Sequence, residues 1–322
     1  MAVYTPLTSG QLVLVARGFG LPSVDRAVAE PKGSVNTNYH LWSGSRRYFL
    51  RVNEGKSDAE VEFEGRVLGH LEARRFPAVR LVPAAGGRSY VVIAGKQAML
   101  FAFAPGEELE RADVTAVHCR RVGEALGSLH EESHDLGVER VNPYAWPRVA
   151  GWVRELEPDG DGDPEVAAAL PMLRDELALG ERLPKAPRGL VHGDLFIDNV
   201  LWTGDELSAV LDWEMSCTDA FAWDIAVAIL AWCYGTGLEP GLARALLDGY
   251  RSRARLERAT ADAVYAYARY VALRYTASRI HAFHRTALGA DRLAWKDWTR
   301  YRDRLAALRR MGEPGFRELA GV

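Results

Sequence analysis

Residues 190–199 read LVHGDLFIDN, and residues 209–215 read AVLDWEM. In each stretch a short apolar run of strand type leads into polar side chains, namely Asp194 and Asn199 in the first and Asp212 in the second. Carboxylate and amide groups are costly to bury without partners, so their grouping around two apolar strands needs an explanation. A turn followed by a hairpin would bring two carboxylates and one amide oxygen together.

Hard oxygen donors of this kind suit Mg²⁺, which keeps several waters and is usually completed by substrate phosphates. Phosphoryl transfer uses the same groups, because one carboxylate accepts the proton of the attacking hydroxyl while a second carboxylate and an amide hold the metal. Each residue alone also fits an ordinary turn, and a single histidine such as His192 is more often structural. Taken together, the residues predict a phosphotransfer site.

The composition fits an ordinary globular protein with two domains or one two-lobed domain: 322 residues, 48% hydrophobic and 26% charged. A net charge of −3 gives no overall attraction to nucleic acid or anionic membranes, so neither partner is expected.

The start lacks the features of a signal peptide, and the most apolar run, residues 224–235, is too short to span a bilayer, which predicts a cytoplasmic protein. The cysteines have no metal-ligand spacing and are expected to be reduced core residues: Cys119, Cys217 and Cys233. No pattern indicates an oligomeric state.

The first third of the chain predicts a small sheet with helices. Residues 7–20 predict a helix capped by Thr8, and residues 57–75 predict another that begins with Ser57 and Glu60 in capping-box spacing. Residues 38–52 alternate around a Gly/Ser turn, as an antiparallel hairpin does. Two more strands, in residues 89–95 and 97–103, precede a break at Pro105 and Gly106, which we take as the boundary between lobes.

Beyond the break, helical periodicity dominates. Helices are predicted for residues 112–133, 224–233, 241–253, 260–285 and 292–310, and residues 199–213 predict a hairpin. The fold class is therefore α+β, with a small antiparallel N-terminal lobe (residues 1–105) and a large, mainly helical C-terminal lobe (residues 106–322) that carries the polar loops.

The pattern His-Gly-Asp-x-x-x-x-Asn, followed by a strand ending in Leu-Asp-Trp, resembles the catalytic and metal loops of the aminoglycoside phosphotransferase and choline kinase superfamily, relatives of protein kinases. Within it, the segments VYTPLT, GSVNTNYHL, HGDLFIDNVLW and ALRYTASRI are similar to bacterial homoserine kinases of the phosphotransferase-like type. The resemblance implies a bilobal, protein-kinase-like fold. It also implies ATP- and Mg²⁺-dependent phosphorylation of a small-molecule hydroxyl, with L-homoserine, a precursor in threonine biosynthesis, as the expected acceptor.

The resemblance also implies roles for single residues. Asp194 matches the catalytic base, and His192 matches the residue that braces the catalytic loop. Asn199 and Asp212 match the Mg²⁺ ligands. Asp224 matches an aspartate that supports the loop by hydrogen bonding.

For the nucleotide, residues 32–39 resemble the loop over the ATP phosphates, in which glycine allows close backbone approach and polar side chains offer donors. Residues 100–106 resemble the linker beside adenine. Related kinases carry a lysine in the third strand, where this chain has Arg51, and Glu64 stands where the partner of that lysine would be. An exposed strand position is the alternative for Arg51. The nucleotide-binding residues expected from the resemblance are Gly33, Ser34, Asn36, Asn38, Arg51, Glu64, Phe101 and Phe103.

For the acceptor, Arg274 and Arg279 match the homoserine kinase-like segment, and a guanidinium group suits a carboxylate. Glu214, two residues after Asp212, is expected to hold an acceptor amine. A solvated arginine face is the alternative for the arginines. Three other functions stay open: a kinase of another hydroxylated metabolite, an aminoglycoside kinase, and a nucleotide-binding pseudokinase that regulates a partner.

Overall fold

The computed structural model describes residues 4–31, 35–158, 160–284 and 297–322. Two compact units divide the chain. The first comprises Met1–Glu108, Asp135–Val138 and Asn199–Glu214, and the second comprises Leu109–His134, Glu139–Asp198 and Met215–Val322. The lobe boundary at residue 105 stays a prediction.

The first unit is built on an antiparallel sheet. Its strands are β1 (Arg26–Glu30), β2 (Thr37–Ser43), β3 (Arg46–Val52), β4 (Leu81–Val82), β5 (Val91–Ile93) and β6 (Lys96–Ala102). The order is β1-β2-β3-β6-β4, and β5 also pairs with β6. Alternate residues of β2 are buried, so one face of the sheet packs in an apolar core that includes Leu41, Leu50 and Leu100. The predicted hairpin of residues 38–52 is confirmed by the β2–β3 pairing.

Two helices of the first unit begin as the sequence predicts. Helix α1 (Ser9–Gly18) is capped by Thr8, and α2 (Asp58–Ala73) is capped by Ser57, each in a complete capping box. In such a box the cap side chain and the side chain three residues later satisfy amides that have no partner inside the helix. Local hydrogen bonding therefore defines where both helices start.

A second antiparallel pair in the first unit consists of β8 (Val200–Thr203) and β9 (Glu206–Val210). This pair is the hairpin predicted for residues 199–213. It contacts the rest of the unit through the amide of Val79, which donates to the carbonyl of Val210 at 2.9 Å, and through Glu107, which bridges to Trp202.

The second unit is mainly helical. Its helices are α3 (Ala116–Glu132), α4 (Trp146–Arg154), α5 (Pro164–Gly180), α6 (Phe221–Trp232), α7 (Pro240–Arg251), α8 (Arg258–Arg279) and α9 (Thr299–Ala320). Helices α3 and α7 touch through glycines, since a Cβ on Gly123 would lie 1.9 Å from the carbonyl oxygen of Leu246. Strands β7 (Arg188–Val191) and β10 (Cys217–Ala220) form an antiparallel pair in the same unit.

Several elements differ from the sequence prediction. Strand β1, helices α4 and α5 and the β7–β10 pair were not predicted, because the strands and α4 are short and α5 contains Pro171, a residue type that usually ends or kinks a helix. Helix α3 starts at Ala116 rather than residue 112, because Arg111–Asp113 form a separate 3-10 turn before the Thr115 cap. The predicted helix of residues 292–310 lies partly outside the described residues, and α9 continues past it through a kink at Gly312.

The three cysteines are free and buried, as predicted. Within the ranges that the structure describes, no helix combines the length and apolar character that crossing a membrane requires. The α+β class is confirmed.

Candidate active site

The backbone of the predicted catalytic loop is held by one buried carboxylate of the second unit. The amide of His192 donates to Oδ2 of Asp224 at 2.6 Å, and the amide of Gly193 donates to Oδ1 at 2.7 Å. Gly193 has a φ of +80°, and a Cβ there would lie 3.0 Å from the carbonyl oxygen of Met215. The loop therefore needs glycine at this position, both for its left-handed conformation and for the close approach.

His192 is fully buried, and its Nδ1 accepts a hydrogen bond from the amide of Asp194 at 3.3 Å. This ring links the end of β7 to the residue that the sequence predicts as the base. The contact supports a bracing role for His192 within the loop.

Asp224 lies in the first turn of α6 and is itself surrounded by polar partners. His130 Nε2 lies 3.4 Å from Asp224 Oδ2, and His130 Nδ1 lies 3.0 Å from the hydroxyl of Tyr250. The imidazole also stacks on Phe221, with ring centroids 4.2 Å apart. A buried carboxylate is tolerated when all its oxygens have donors, and this network supplies them.

Asp224→Asn is expected to lower the free energy of unfolding by about 1–3 kcal/mol, because the new NH₂ group faces one of the two buried loop amides and leaves that donor without an acceptor. Denaturant unfolding of the variant measures the loss. Asp113→Asn, in the exposed 3-10 turn before α3, is the control and should leave stability unchanged. An unchanged unfolding free energy for Asp224→Asn would show that Asp224 does not hold the loop.

Asp194 itself is partly exposed and contacts helix α8. Its Oδ1 accepts a hydrogen bond from the hydroxyl of Tyr275 at 2.5 Å. The same hydroxyl lies 3.2 Å from the carbonyl oxygen of Gly193. Sequence reasoning missed Tyr275, although it directly follows Arg274 in the segment ALRYTASRI that carries the family resemblance.

Arg274 is a buried cation in this part of the second unit, only 4% exposed. Its guanidinium carbon lies 3.7 Å from the ring centre of Tyr144 and 3.9 Å from that of Tyr275, an arrangement typical of cation–π contacts. Within the described part of the chain, its Nε has no hydrogen-bond partner and no carboxylate forms an ion pair with it. Burial acts to lower the pKa of Arg274, but Tyr275, Tyr144 and the Asp194 carboxylate outweigh it and raise that pKa.

Unlike Arg274, the two other arginines described in this stretch of the chain form hydrogen bonds to oxygen atoms of the protein. Arg279 donates to the carbonyl oxygen of Asp297 at 3.1 Å and lies over the ring of Tyr301 at 4.8 Å, and its pKa is lowered mainly by burial. Arg269 forms two hydrogen bonds with the buried carboxylate of Glu176, at 3.0 and 2.7 Å, which is a structural role. The alternative of a solvated arginine face is wrong for Arg274, because its side chain is buried.

The predicted metal ligands, Asn199 and Asp212, belong to the first unit. The amide of Leu211 donates to the carbonyl oxygen of Asn199 at 2.8 Å, which brings the two ends of the β8–β9 hairpin side by side. Asp212 has a φ of +57°, a conformation that non-glycine residues adopt rarely and often at functional sites.

One amide and one carboxylate oxygen are the hard donors that Mg²⁺ prefers, with waters and phosphates completing the shell. The described residues contain no group of three or more His, Cys, Asp or Glu side chains placed to hold a metal ion. The donor set therefore fits a cation that is completed by a phosphate substrate better than a cation fully enclosed by protein.

Arg51 and Glu64, which the sequence pairs, are in contact: Nη2 of Arg51 lies 2.5 Å from Oε2 of Glu64. Nη1 of Arg51 lies 3.7 Å from Oδ1 of Asp212. Burial acts to lower the pKa of Arg51, but the carboxylates of Glu64, Glu214 and Asp212 outweigh it and raise that pKa above its ordinary value. The alternative of an exposed strand position is wrong, because Arg51 is 6% exposed.

Glu214 groups with residues of the first unit. Asn36 Nδ2 donates to Glu214 Oε2 at 2.6 Å, and the amide of Glu54 donates to Asn36 Oδ1 at 3.2 Å. Lys56 Nζ donates to the carbonyl oxygen of Glu214 at 3.3 Å and lies 4.0 Å from its Oε2. The structure thus brings Glu214 to Asn36, a predicted nucleotide-loop residue, whereas Arg274 and Arg279 belong to the second unit. The contact of Lys56 with Glu214 was not predicted from the sequence.

The remaining nucleotide candidates lie on the sheet or beside it. Asn38, opposite Arg51 in the β2–β3 register, has a buried Oδ1 without a hydrogen-bond partner among the described residues. Phe101 is buried in β6, and the ring of Phe103, just after this strand, lies 4.0 Å from the guanidinium carbon of Arg47. Two predicted residues, Gly33 and Ser34, lie outside the described residues.

Comparison with known proteins places this arrangement in a family. Residues 28–261 match the model of the phosphotransferase enzyme family. Homoserine kinase of Rhizobium meliloti (strain 1021) is 32% identical over 302 residues, covering 90% of this chain and 89% of the relative.

Solved structures share the fold. An amicoumacin kinase in complex with AMP-PNP, Ca²⁺ and Ami superposes with a TM-score of 0.70 at 18% identity, over 92% of each chain. A microcompartment-associated aminopropanol kinase superposes with a TM-score of 0.68 at 19% identity, over 94% of this chain and 96% of that one. The predicted bilobal, kinase-like fold is confirmed.

The chain belongs to the phosphotransferase enzyme family. Within it, this protein is similar to homoserine kinases along most of its length. It is an ATP-dependent small-molecule kinase that transfers a phosphoryl group to an alcohol.

Proposed function

We propose that this protein is a homoserine kinase, which converts L-homoserine to O-phospho-L-homoserine with ATP and Mg²⁺. The observation that carries the choice of acceptor is Arg274, a buried guanidinium group with no ion pair among the residues described. A buried charge without a counterion is costly, and the carboxylate of an amino acid substrate would supply the missing partner. Arg274 also lies close enough to Asp194 for that carboxylate to affect its pKa.

The relatives support the same acceptor. Homoserine kinase of Rhizobium meliloti is similar to this chain over nearly its whole length, and the similarity includes the region around Arg274 and Arg279. Homoserine carries a hydroxyl, an amine and a carboxylate. We assign the hydroxyl to Asp194 and the carboxylate to Arg274 with support from Arg279, all in the second unit. The role of Glu214 toward the amine stays a prediction.

In the reaction, Asp194 accepts the proton of the homoserine hydroxyl as its oxygen attacks the γ-phosphorus of ATP. The bond between that phosphorus and the bridging oxygen breaks, and ADP leaves with the electron pair. His192 and Asp224 hold the loop from which Asp194 acts. The role of this chain is thus to orient the hydroxyl, remove its proton and bind the charge of both substrates.

For the nucleotide, we propose that Asn199 and Asp212 hold Mg²⁺, which neutralises phosphate charge when bound. Arg51, fixed by Glu64, would place a permanent positive charge near the phosphates, as the usual strand lysine does in related kinases. The loop residues Gly33, Ser34, Asn36 and Asn38 would contact the phosphates, and the chain around Phe101 and Phe103 would contact adenine.

The alternative functions have less support. An aminoglycoside is a polycation, and the positive charge of the buried Arg274 side chain would repel it. A pseudokinase need not keep a base that is hydrogen-bonded by Tyr275, nor a buried carboxylate that holds the loop.

A kinase that uses ATP and a free metabolite is expected in the cytoplasm.

The test of the proposal is an acceptor screen. Purified protein is incubated with Mg-ATP and one acceptor at a time: homoserine, threonine, choline, methylthioribose or an aminoglycoside. Release of ADP and a phosphorylated product are measured together. We expect homoserine to have the highest kcat/KM. Turnover of another acceptor in place of homoserine would overturn the acceptor assignment, and absence of turnover with every acceptor would favour the pseudokinase.

Arg274→Met is expected to lower kcat/KM for homoserine by about 10- to 150-fold, the equivalent of a lost charge-assisted hydrogen bond of about 1.5–3 kcal/mol. Met keeps much of the length and packing of the side chain, so the change removes mainly the charge. The measurement is kcat/KM for homoserine and for 3-aminopropanol, which has no carboxylate.

Only homoserine should be affected, and the KM for ATP should stay at the parent value. Equal losses with both acceptors would mean that Arg274 acts through packing and not through the carboxylate. Arg279→Met, measured in the same way, ranks the two arginines.

A further inference from the structure

Tyr275 reaches the proposed base from a distant part of the chain. Its hydroxyl donates to Oδ1 of Asp194 at 2.5 Å, across 81 residues of sequence. The distance is short for a hydrogen bond between two oxygens, as is typical when the acceptor is ionised. The contact lies wholly inside the second unit.

The ring of Tyr275 is fixed by its neighbours. The edge of Phe196 lies against it, with ring centroids 5.0 Å apart, and the ring of Tyr301 lies 4.8 Å away. The guanidinium group of Arg274 covers the ring at 3.9 Å. Tyr275 is also buried, so this packing restricts the ring and directs its hydroxyl at Asp194.

The hydroxyl is also a stable donor. Burial is the main cause that raises the pKa of Tyr275 well above its ordinary value, and the Asp194 carboxylate adds to the rise. Tyr275 therefore stays protonated at neutral pH and keeps donating to the carboxylate.

We propose that Tyr275 is a positioning residue for proton transfer, whose hydroxyl holds Oδ1 of Asp194 so that the carboxylate is oriented to accept the proton of the acceptor hydroxyl. The inference rests on the proposed role of Asp194 as base. General-base catalysis depends first on geometry, because the base must lie within hydrogen-bonding reach of the proton it removes. A carboxylate that rotates freely about its terminal torsion meets this condition for only part of the time.

The arrangement also ties substrate binding to the base. Arg274 and Tyr275 are consecutive residues of α8, and the guanidinium lies on the same ring whose hydroxyl binds Asp194. Two neighbouring, stacked residues of α8 therefore have linked roles. Arg274 would bind the carboxylate of the acceptor, and Tyr275 holds the proposed base.

The test is Tyr275→Phe, which removes the hydroxyl and keeps the ring. We expect kcat to fall about 10- to 100-fold, the effect of one hydrogen bond to a charged group, with the KM values for ATP and acceptor close to those of the parent. A role limited to packing would leave kcat unchanged, because phenylalanine fills the same space. An unchanged kcat in a folded Tyr275→Phe protein overturns the proposal.

Tyr301→Phe is the matched control. Tyr301 is buried in the same aromatic cluster, and among the described residues its hydroxyl has no hydrogen-bond partner. Removing this hydroxyl should leave kcat at the parent value and leave the thermal unfolding temperature unchanged or slightly higher. An equal fall in kcat for both variants would mean that the cluster responds to any lost hydroxyl, which contradicts a specific role for Tyr275.

A double-mutant cycle separates this inference from the proposed function. In an Asp194→Ala background the Tyr275 hydroxyl has no carboxylate to hold, so Tyr275→Phe should cause no further loss. If Tyr275→Phe lowers kcat by the same factor in the Asp194→Ala background as in the parent, the positioning role is overturned. All rates are measured with the acceptor that the parent enzyme uses best, so a wrong choice of homoserine leaves the test valid. A large effect of Asp194→Asn with none from Tyr275→Phe rejects the inference alone.

Discussion

Asp194→Asn is expected to lower kcat by about 10²–10⁴-fold, the usual range for the loss of a general base. The amide has nearly the same shape as the carboxylate and can still accept a hydrogen bond from Tyr275, but it cannot take up the proton of the acceptor hydroxyl. Because the change affects the transition state and not the bound nucleotide, the affinity for Mg-ATP should stay near the parent value. Single-turnover and steady-state rates, together with calorimetric ATP binding, measure the two effects.

Asp113→Asn serves as the control for this experiment, since it removes one aspartate charge from the exposed 3-10 turn before α3. Its kcat should match that of the parent. If a folded Asp194→Asn protein turns over at nearly the parent rate, another group removes the proton and the assignment of the base fails.

Asp212→Asn is expected to weaken the binding of Mg-ATP by on the order of 100-fold. Mutation of a residue that only hydrogen-bonds to a metal ligand already lowers metal affinity by about 10–100-fold, and Asp212 is proposed to be a ligand itself. Asparagine is the informative replacement, because it tolerates the left-handed conformation that residue 212 adopts, with φ of +57°. The variant therefore loses the charge of the ligand without an added backbone strain. Calorimetric titration with ATP, with and without Mg²⁺, gives the affinity.

Two features of the result identify the cause. The affinity for ATP without Mg²⁺ should change little, and the KM for the acceptor should stay near the parent value. If Asp212→Asn binds Mg-ATP as tightly as the parent, the cation is held elsewhere. If it weakens ATP with and without Mg²⁺ equally, the effect passes through Arg51, whose Nη1 lies 3.7 Å from the Asp212 carboxylate.

Patterns within a few residues were sufficient to predict much of the fold. The caps at Thr8 and Ser57 depend on hydrogen bonds three residues apart, so both helix starts could be read from the sequence. The β2–β3 and β8–β9 hairpins are likewise local, because a turn sets the register of the two strands that it joins. Helices α4 and α5 were missed although their buried residues recur at helical spacing, because α4 has only nine residues and α5 contains Pro171, a residue type that usually ends or kinks a helix.

The candidate site also contains residues that short stretches of sequence predict and contacts that they do not. The His-Gly-Asp motif and the following Leu-Asp-Trp were visible because their chemistry is concentrated in a short stretch. Arg51 and Glu64 are only 13 residues apart, and family resemblance was enough to pair them. By contrast, the contact of Asn36 with Glu214 spans 178 residues and was not expected.

The hydrogen bond from Tyr275 to Asp194 and the burial of the Arg274 guanidinium, whose Nε has no hydrogen-bond partner among the described residues, could not be predicted from local patterns. No periodicity marks them, because a tyrosine or an arginine on a helix has the same local pattern whether it faces solvent, packs in a core or binds a carboxylate. Their roles depend on which side chains the packing of the second unit places around α8. Local hydrogen bonding and apolar spacing are properties of neighbouring residues, whereas the environment of a side chain is a property of the folded chain.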